Sequence, residues 1–293
     1  LEHMVFKGTP THPNIPKLLQ DHGARFNGST NTDRTNYFET LTATDENLVF
    51  AIRMEADRLV NSYIKKEDLE SEFTVVRNEF ENGENSPAGV LSKRIAAAAY
   101  EWHNYGKSTI GNHSDIERVP IDNLRAFYKR FYQPDNVVLV VAGKFEEAKV
   151  LTLVQTYFGT IPRPQRKLDD TYTEEPAQDG ERLVTLRRVG DVGAVGVAYH
   201  VPAGPHGDSP PLQVLSSILS TQPSGRLYRA LIETKKAESV FASARGQHDP
   251  GLMMIQATVR DIKLLDEVRD MIFSTVESIG SKGVTDEEVN RAK

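Results

Sequence analysis

The chain has 293 residues, of which 39% are hydrophobic and 26% charged, with no cysteine and a formal net charge of −6. This composition is typical of a globular protein with one large or two ordinary domains. It excludes disulfides, thiolate catalysis and cysteine-ligated zinc. Because no stripe of Lys and Arg is present, we expect no nucleic-acid partner. No run approaches the ~20 apolar residues that cross a membrane, so we expect no transmembrane segment.

The first half of the chain alternates patterns of helices and strands. In the segment 45–62, for example, Leu48, Ile52 and Leu59 recur at helical spacing. Patterns of this kind predict helices at 14–22, 45–62, 66–82, 90–102, 121–131 and 146–158, two strands within 24–42, and a strand at 136–143. We expect these elements to form a first domain at 1–162.

The segment 163–181 contains Pro164, Pro176, Gly180 and many charged residues and has no periodicity, which predicts a linker. Beyond it the pattern starts again, and we expect a second domain at 182–293. Strands are predicted at 182–189, 193–200, 238–246 and 252–260, and helices at 211–220, 224–235 and 263–279.

Both halves contain an apolar strand followed by a charged helix, at 138–158 and again at 254–279. Such repetition favours two similar domains joined by a linker. A strand followed by a helix is also common in any α/β protein, so the repetition alone leaves chance open.

Acidic side chains recur on the predicted helix at 66–82. Glu72 and Glu79 are seven residues apart, two helical turns, and therefore share a face beside the apolar stripe. Carboxylates beside a buried seam need a partner, a proton or a metal ion. A solvated acidic helix is the alternative that this spacing leaves open. Glu2 and His3 are adjacent at the start of the chain, and by themselves they indicate no more than a surface pair.

The segment Leu1-Glu2-His3-Met4-Val5-Phe6-Lys7-Gly8-Thr9 resembles the end of the inverted zinc motif His-x-x-Glu-His of the pitrilysin/insulinase peptidases. In that family a distal glutamate about 76 residues further on completes the zinc site. Glu79 stands there, since 79 − 3 = 76, and Glu72 matches a family glutamate one heptad earlier. Further family landmarks cover nearly the whole chain: 23–31, 35–37, 105–106, 110–111 and 225–228.

The resemblance implies a Zn²⁺ site with His3 and Glu79 as ligands, together with the first motif histidine, which would lie upstream of Leu1. It implies that Glu2 acts as general base and that Glu72 orients a ligand or repels misplaced anions. With only His3 and Glu79, the chain alone is expected to bind zinc poorly and to be inactive.

The resemblance also implies the fold and the substrate. The fold is α+β, with two homologous domains, each a mainly antiparallel sheet packed with helices, forming half of a clamshell. The family's active-site edge strand corresponds to Phe26, Asn27, Gly28, Ser29 and Thr30. An edge strand can bind an extended peptide as an added strand. An ordinary hairpin strand is the alternative.

A second half of the enclosure is expected as a partner. The family can place a substrate-contacting Arg and Tyr after the 225–228 landmark, but Ile232 and Ser239 stand at these positions in this chain. Neither side chain can stabilise an oxyanion. A C-terminal continuation or a separate subunit would therefore supply the pair.

The function that we predict is a zinc-dependent metalloendopeptidase acting on unfolded peptides or extended segments. Two alternatives remain open: a non-catalytic structural or processing-complex homologue of the same fold, and a peptide-binding module. Similar bacterial enzymes are often periplasmic, so the resemblance favours that location.

Overall fold

The computed structural model describes residues 1–170 and 172–293; Thr171, in the predicted linker, lies outside the described residues. Backbone contacts divide the chain into two compact units, each built from two segments. Unit 1 comprises Leu1–Phe80 with Thr109–Tyr172, and unit 2 comprises Glu81–Ser108 with Thr173–Lys293. A division by contacts does not test whether two parts of the chain are homologous. The two homologous domains at 1–162 and 182–293 therefore stay a prediction.

Helices outnumber strands in the part of the chain that the structure describes. The helices are α1 (Glu2–Val5), α2 (Ile15–Asp21), α3 (Asp45–Asn61), α4 (Lys66–Glu84), α5 (Pro87–Ala99), α6 (His113–Arg118), α7 (Ile121–Phe131), α8 (Glu147–Tyr157), α9 (Ser209–Ser220), α10 (Leu265–Lys282) and α11 (Asp286–Ala292). The strands are β1 (Arg25–Thr30), β2 (Thr35–Thr40), β3 (Gly193–Val201), β4 (Ser239–Ala244) and β5 (Gly251–Val259). Helices combined with antiparallel strands confirm the α+β class.

Unit 1 contains the antiparallel pair β1–β2, in which Gly28 lies opposite Tyr37. The helix α3 begins where Thr44 accepts a hydrogen bond from the backbone of Asn47, a typical N-cap. The unit has two small apolar cores. The first contains Met4, Val5, Ile64, Leu69 and Tyr128, and the second contains Ile15, Leu19 and Met54.

Unit 2 is built on a three-stranded antiparallel sheet with the order β3-β5-β4. Along β5, every second side chain is buried, as expected for a strand with one covered face. The helix α5 packs on β3, and α9 packs on β4. Residues 81–108, which the sequence pattern placed within the first half, therefore belong to the unit that contains this sheet.

Two of the predicted strands are wrong. Residues 137–142 and 182–189 form no strand, because a strand needs a hydrogen-bonded neighbour and neither segment has one among the described residues. In the first segment, Val138 and Val140 are 87% and 78% exposed. The helix predicted at 224–235 is also different, since Tyr228–Glu233 adopts π-helical geometry.

None of the helices in the described part of the chain is both long and apolar enough to span a membrane.

Candidate metal centre

The short helix α1 is held against α4 by its apolar side chains. Met4 and Val5 are almost completely buried in the same core as Leu69 of α4. Removing these adjacent apolar side chains from water stabilises the contact between the two helices. Because Glu2 and His3 directly precede them, this packing fixes where the polar start of α1 lies.

His3 lies between the two glutamates of α4. Its Nδ1 is 2.7 Å from Oε2 of Glu72, and its Nε2 is 3.6 Å from Oε1 of Glu79. An ionised carboxylate can only accept a hydrogen bond, so Nδ1 carries the hydrogen. In the neutral imidazole the lone pair then belongs to Nε2, which faces Glu79. This is the arrangement in which a second carboxylate orients a metal-binding imidazole.

Glu72 is the buried member of this group, and Lys7 is its second partner. Lys7 Nζ lies 2.5 Å from Glu72 Oε1. Burial alone would raise the pKa of Glu72, but the hydrogen bonds from Lys7 and His3 outweigh it and lower the pKa below its usual value. Glu72 is therefore ionised at neutral pH. Glu79 is different, because 52% of its side chain is exposed.

Glu2 lies against the strand β1. Its Oε2 accepts a hydrogen bond of 2.6 Å from the Thr30 hydroxyl. A Cβ atom at Gly28 would come within 2.3 Å of its Oε1, so the glycine leaves room for the carboxylate. Glu2, His3 and β1 thus share one region of unit 1.

The predicted substrate strand is an edge. β1 pairs only with β2 in the described chain, so the main-chain groups on its other side have no strand partner there. Phe26 and Gly28 are half-buried, whereas Asn27, Ser29 and Thr30 are exposed. The structure thus places these five residues on a strand with one open edge.

The separation of the two candidate donors fits zinc. Two ligands bound tetrahedrally at 2.0–2.2 Å would be ~3.4 Å apart, and the His3–Glu79 separation is 3.6 Å. The fit is partial, because no group of three or more His, Asp or Glu side chains in the described residues is arranged to hold a metal ion. A further ligand is required.

Sequence reasoning missed Lys7 as a partner of this centre. The signal was present, since Lys7 lies in the segment that resembles the zinc motif and follows His3 by four residues. In unit 2, the structure places Ile232 half-buried against the apolar core and Ser239 exposed at the start of β4.

Comparison with known proteins agrees with the geometry. Residues 1–113 match the family model described as Insulinase (Peptidase family M16), and residues 118–293 match that described as Peptidase M16 inactive domain. The chain belongs to peptidase family M16. The resemblance to pitrilysin/insulinase peptidases is confirmed.

Several M16 relatives are bacterial proteins named as zinc proteases. The chain is 27% identical to the zinc protease PqqE of Helicobacter pylori over 299 residues, which cover 100% of this chain and 67% of that protein. It is 26% identical to the uncharacterized zinc protease YmxG of Bacillus subtilis, covering 100% of this chain and 70% of that protein.

Solved M16 structures share the fold. A protease from Helicobacter pylori superimposes with a TM-score of 0.93 at 27% identity, covering 99% of this chain and 71% of that one. Pitrilysin superimposes with a TM-score of 0.70 at 19% identity, covering 98% of this chain and 32% of that one. These likenesses support the M16 fold, and at 19% identity the pitrilysin match concerns the fold alone.

Proposed function

We propose that this M16 chain carries the catalytic half of a zinc-dependent metalloendopeptidase that hydrolyses peptide bonds in unfolded peptides or extended segments. The observation that carries the proposal is the convergence of His3 Nε2 and Glu79 Oε1 at 3.6 Å, with His3 Nδ1 held by Glu72. The first motif histidine, upstream of Leu1, would be the third ligand.

The residues of the chain have separate roles in this proposal. When bound, zinc polarises water and lowers its pKa towards ~7. Glu2 takes the proton from the attacking water and delivers it to the nitrogen of the leaving amine. The hydrogen bond from Thr30 holds one oxygen of Glu2, while Glu72 keeps the His3 ring in one orientation and one tautomer.

The strand β1 is the proposed binding site for the substrate. An extended peptide can add to its open edge through main-chain hydrogen bonds, and Gly28 leaves room beside this strand for the Glu2 carboxylate. Only a peptide segment that can adopt an extended conformation fits this mode. The proposal therefore favours unfolded peptides and extended segments over folded proteins as substrates.

A second homologous half completes the proposed enzyme. Unit 2 offers Ile232 and Ser239 where a carbonyl-polarising pair would be needed. One structural neighbour is the first half of the periplasmic protease PqqL of Escherichia coli, at 19% identity and a TM-score of 0.70. This likeness supports an arrangement in halves and favours, as a proposal, a periplasmic location.

The alternative function, a non-catalytic homologue of the same fold, is favoured by one observation, the match to the family model described as an inactive domain. That match begins at residue 118, whereas Glu2, His3, Glu72 and Glu79 all lie within the insulinase match at 1–113. The name therefore concerns a part of the chain that contains none of the candidate site residues. A non-catalytic homologue is the weaker proposal for this reason.

The experiment is cleavage of an unstructured, internally quenched fluorogenic peptide by the full-length protein and its Glu2→Gln variant. We expect activity that a chelator abolishes, and a loss of about 10²–10⁴-fold in the variant with unchanged zinc content. The matched control is Glu70→Gln, which removes an exposed carboxylate from α4. Activity that persists after Glu2→Gln rules out the mechanism.

A further inference from the structure

Lys7 contacts the carboxylate that lies behind the candidate ligand His3. We propose that Lys7 is a positioning residue, which holds one oxygen of Glu72 so that the other oxygen keeps the His3 ring in the orientation that binds the metal. The inference rests on the proposed function, because it concerns the same metal centre.

Both oxygens of Glu72 are engaged. Oε1 lies 2.5 Å from Lys7 Nζ, and Oε2 lies 2.7 Å from His3 Nδ1. The Glu72 side chain is only 11% exposed, so water cannot easily replace either partner. The carboxylate is thereby fixed in rotation as well as in position.

The backbone of Lys7 is held on both sides. Its N–H donates to the Met4 carbonyl at 3.2 Å, and its carbonyl accepts from Asn14 at 3.3 Å. The next residue, Gly8, has φ +123°, and a Cβ atom there would lie 2.6 Å from the Asn14 nitrogen. Glycine is required for this turn, and the turn holds Lys7 where its side chain reaches α4.

Lys7 acts on the metal site through the His3 ring. Glu72 Oε2 lies 2.7 Å from Nδ1 of His3, whereas Glu79 Oε1 lies 3.6 Å from Nε2, the nitrogen left for the metal. A carboxylate held on the far nitrogen of a histidine ligand fixes the orientation and the tautomer of the ring. Because Lys7 holds the other oxygen of that carboxylate, it keeps Nε2 directed towards Glu79.

The test compares zinc affinity in the full-length protein and in the variants Lys7→Met and Lys7→Arg, by competition with a chromophoric chelator. We expect Lys7→Met to weaken zinc binding about 10- to 100-fold, the range for loss of an outer-shell partner, and Lys7→Arg to recover most of it. The control Lys17→Met removes an exposed pair with Asp21 and should leave the affinity unchanged.

A second readout follows the coordination shell directly. The visible absorption spectrum of the Co²⁺-substituted protein should change in Lys7→Met, because the His3 ring is no longer held in one orientation, and should keep its original form in Lys7→Arg. A role confined to folding would leave the spectrum of the bound metal unaltered.

Equal zinc affinity and equal Co²⁺ spectra in Lys7→Met and the unaltered protein overturn the Lys7 inference alone. An affinity loss that Lys7→Arg does not recover, with an equal loss of thermal stability in the metal-free protein, also overturns it. If the unaltered protein binds no zinc, or binds it equally well after His3→Ala, the proposed function fails and the inference fails with it.

Discussion

The two units differ in what they bury. In the described chain, the buried polar or charged residues of unit 1 include His12, Arg58 and Glu72, whereas those of unit 2 are the two serines Ser209 and Ser216. Among the described residues, the core of unit 2 is a single apolar cluster around β5, while unit 1 has two smaller clusters. Burying charge costs free energy unless every group is paired.

This difference agrees with different roles for the two units, the candidate metal centre in unit 1 and apolar packing of the sheet in unit 2. In unit 1, the buried charges lie on or near the elements that hold the candidate metal centre. Arg58, for example, lies over the rings of Phe6 and Tyr37, 5.2 Å and 4.6 Å from their centroids, and pairs with Glu55. In unit 2, apolar packing serves the stability of the sheet. The contrast teaches that the two units differ in polar burial as well as in their sheets.

The largest effect is expected for Arg58→Met, which removes a cation that is 2% exposed. Because Glu55 would lose its partner, we expect the free energy of unfolding to fall by about 3–5 kcal/mol. Urea unfolding followed by circular dichroism measures this. Arg53 lies on the same helix with an exposed side chain, so Arg53→Met is the matched control. If the free energy of unfolding falls by less than ~1 kcal/mol in Arg58→Met, buried charge does not distinguish unit 1 from unit 2 energetically.

In unit 2 the corresponding change is Ile255→Ala, at a side chain with no exposure in the centre of β5. A cavity of this kind costs about 2–4 kcal/mol. Because the candidate metal centre lies in unit 1, zinc affinity below the unfolding transition should be unchanged. A large drop in the zinc affinity of Ile255→Ala, measured by chelator competition, would show that packing in unit 2 also affects the candidate metal centre.

Because of Glu39, we expect the stability of unit 1 to fall as the pH rises. Burial, together with the charge and hydrogen bond of Glu55, raises the pKa of Glu39 to about 8. The folded protein then keeps a proton that the unfolded chain releases near 4.5, so stability falls as pH rises from that value to about 8. We expect Glu39→Gln to flatten this slope and to gain about 1–2 kcal/mol at about pH 9. Unfolding curves of the unaltered protein and of Glu39→Gln at about pH 6 and pH 9 measure this. An equal change in the free energy of unfolding between these two pH values in both proteins would contradict the assignment.

The smallest effect concerns an ion pair at the end of unit 2. Arg226 donates two hydrogen bonds of 2.7 Å to Glu288, and these, with one from the Thr285 backbone, lower the pKa of Glu288 to about 2. The stabilisation from this pair is therefore complete above about pH 4.5 and is lost as pH falls through about 2.

Since this pair is partly exposed, Arg226→Met should cost about 1 kcal/mol at about pH 7, and the difference from the unaltered protein should vanish near pH 2. Arg291→Met is the control, because its pair with Glu287 is more exposed. Chemical denaturation across this pH range checks both. A difference that persists at the acid end would mean that packing, and not the charge of Glu288, is responsible.

Local sequence patterns predicted the helices of the candidate site well. They predicted contacts between distant parts of the sequence less well. The periodicity of 45–62 and 66–82 corresponds to α3 and α4. The heptad spacing predicted that Glu72 and Glu79 share one side of α4, the family resemblance implied that this side faces His3, and both glutamates lie near His3 in the structure. Helical geometry is local, so spacing alone determines which side chains share a face.

What could not be predicted depends on partners distant in sequence. Nothing in the Ala-rich pattern of α5 indicates which sheet it packs on, and the structure places it on β3. The apolar run at 137–142 has strand composition, but pairing requires a neighbour. The contact of Lys7 with Glu72 depends on the turn at Gly8, whose positive φ no periodicity reveals.

The most direct measurement is anomalous X-ray scattering at the zinc absorption edge from crystals of the full-length protein grown with zinc. A single strong peak about 2.0–2.2 Å from both His3 Nε2 and a Glu79 oxygen is the predicted result. A peak elsewhere, or zinc bound to His3 with Glu79 turned away from it, would contradict the proposal that these two side chains share one ion.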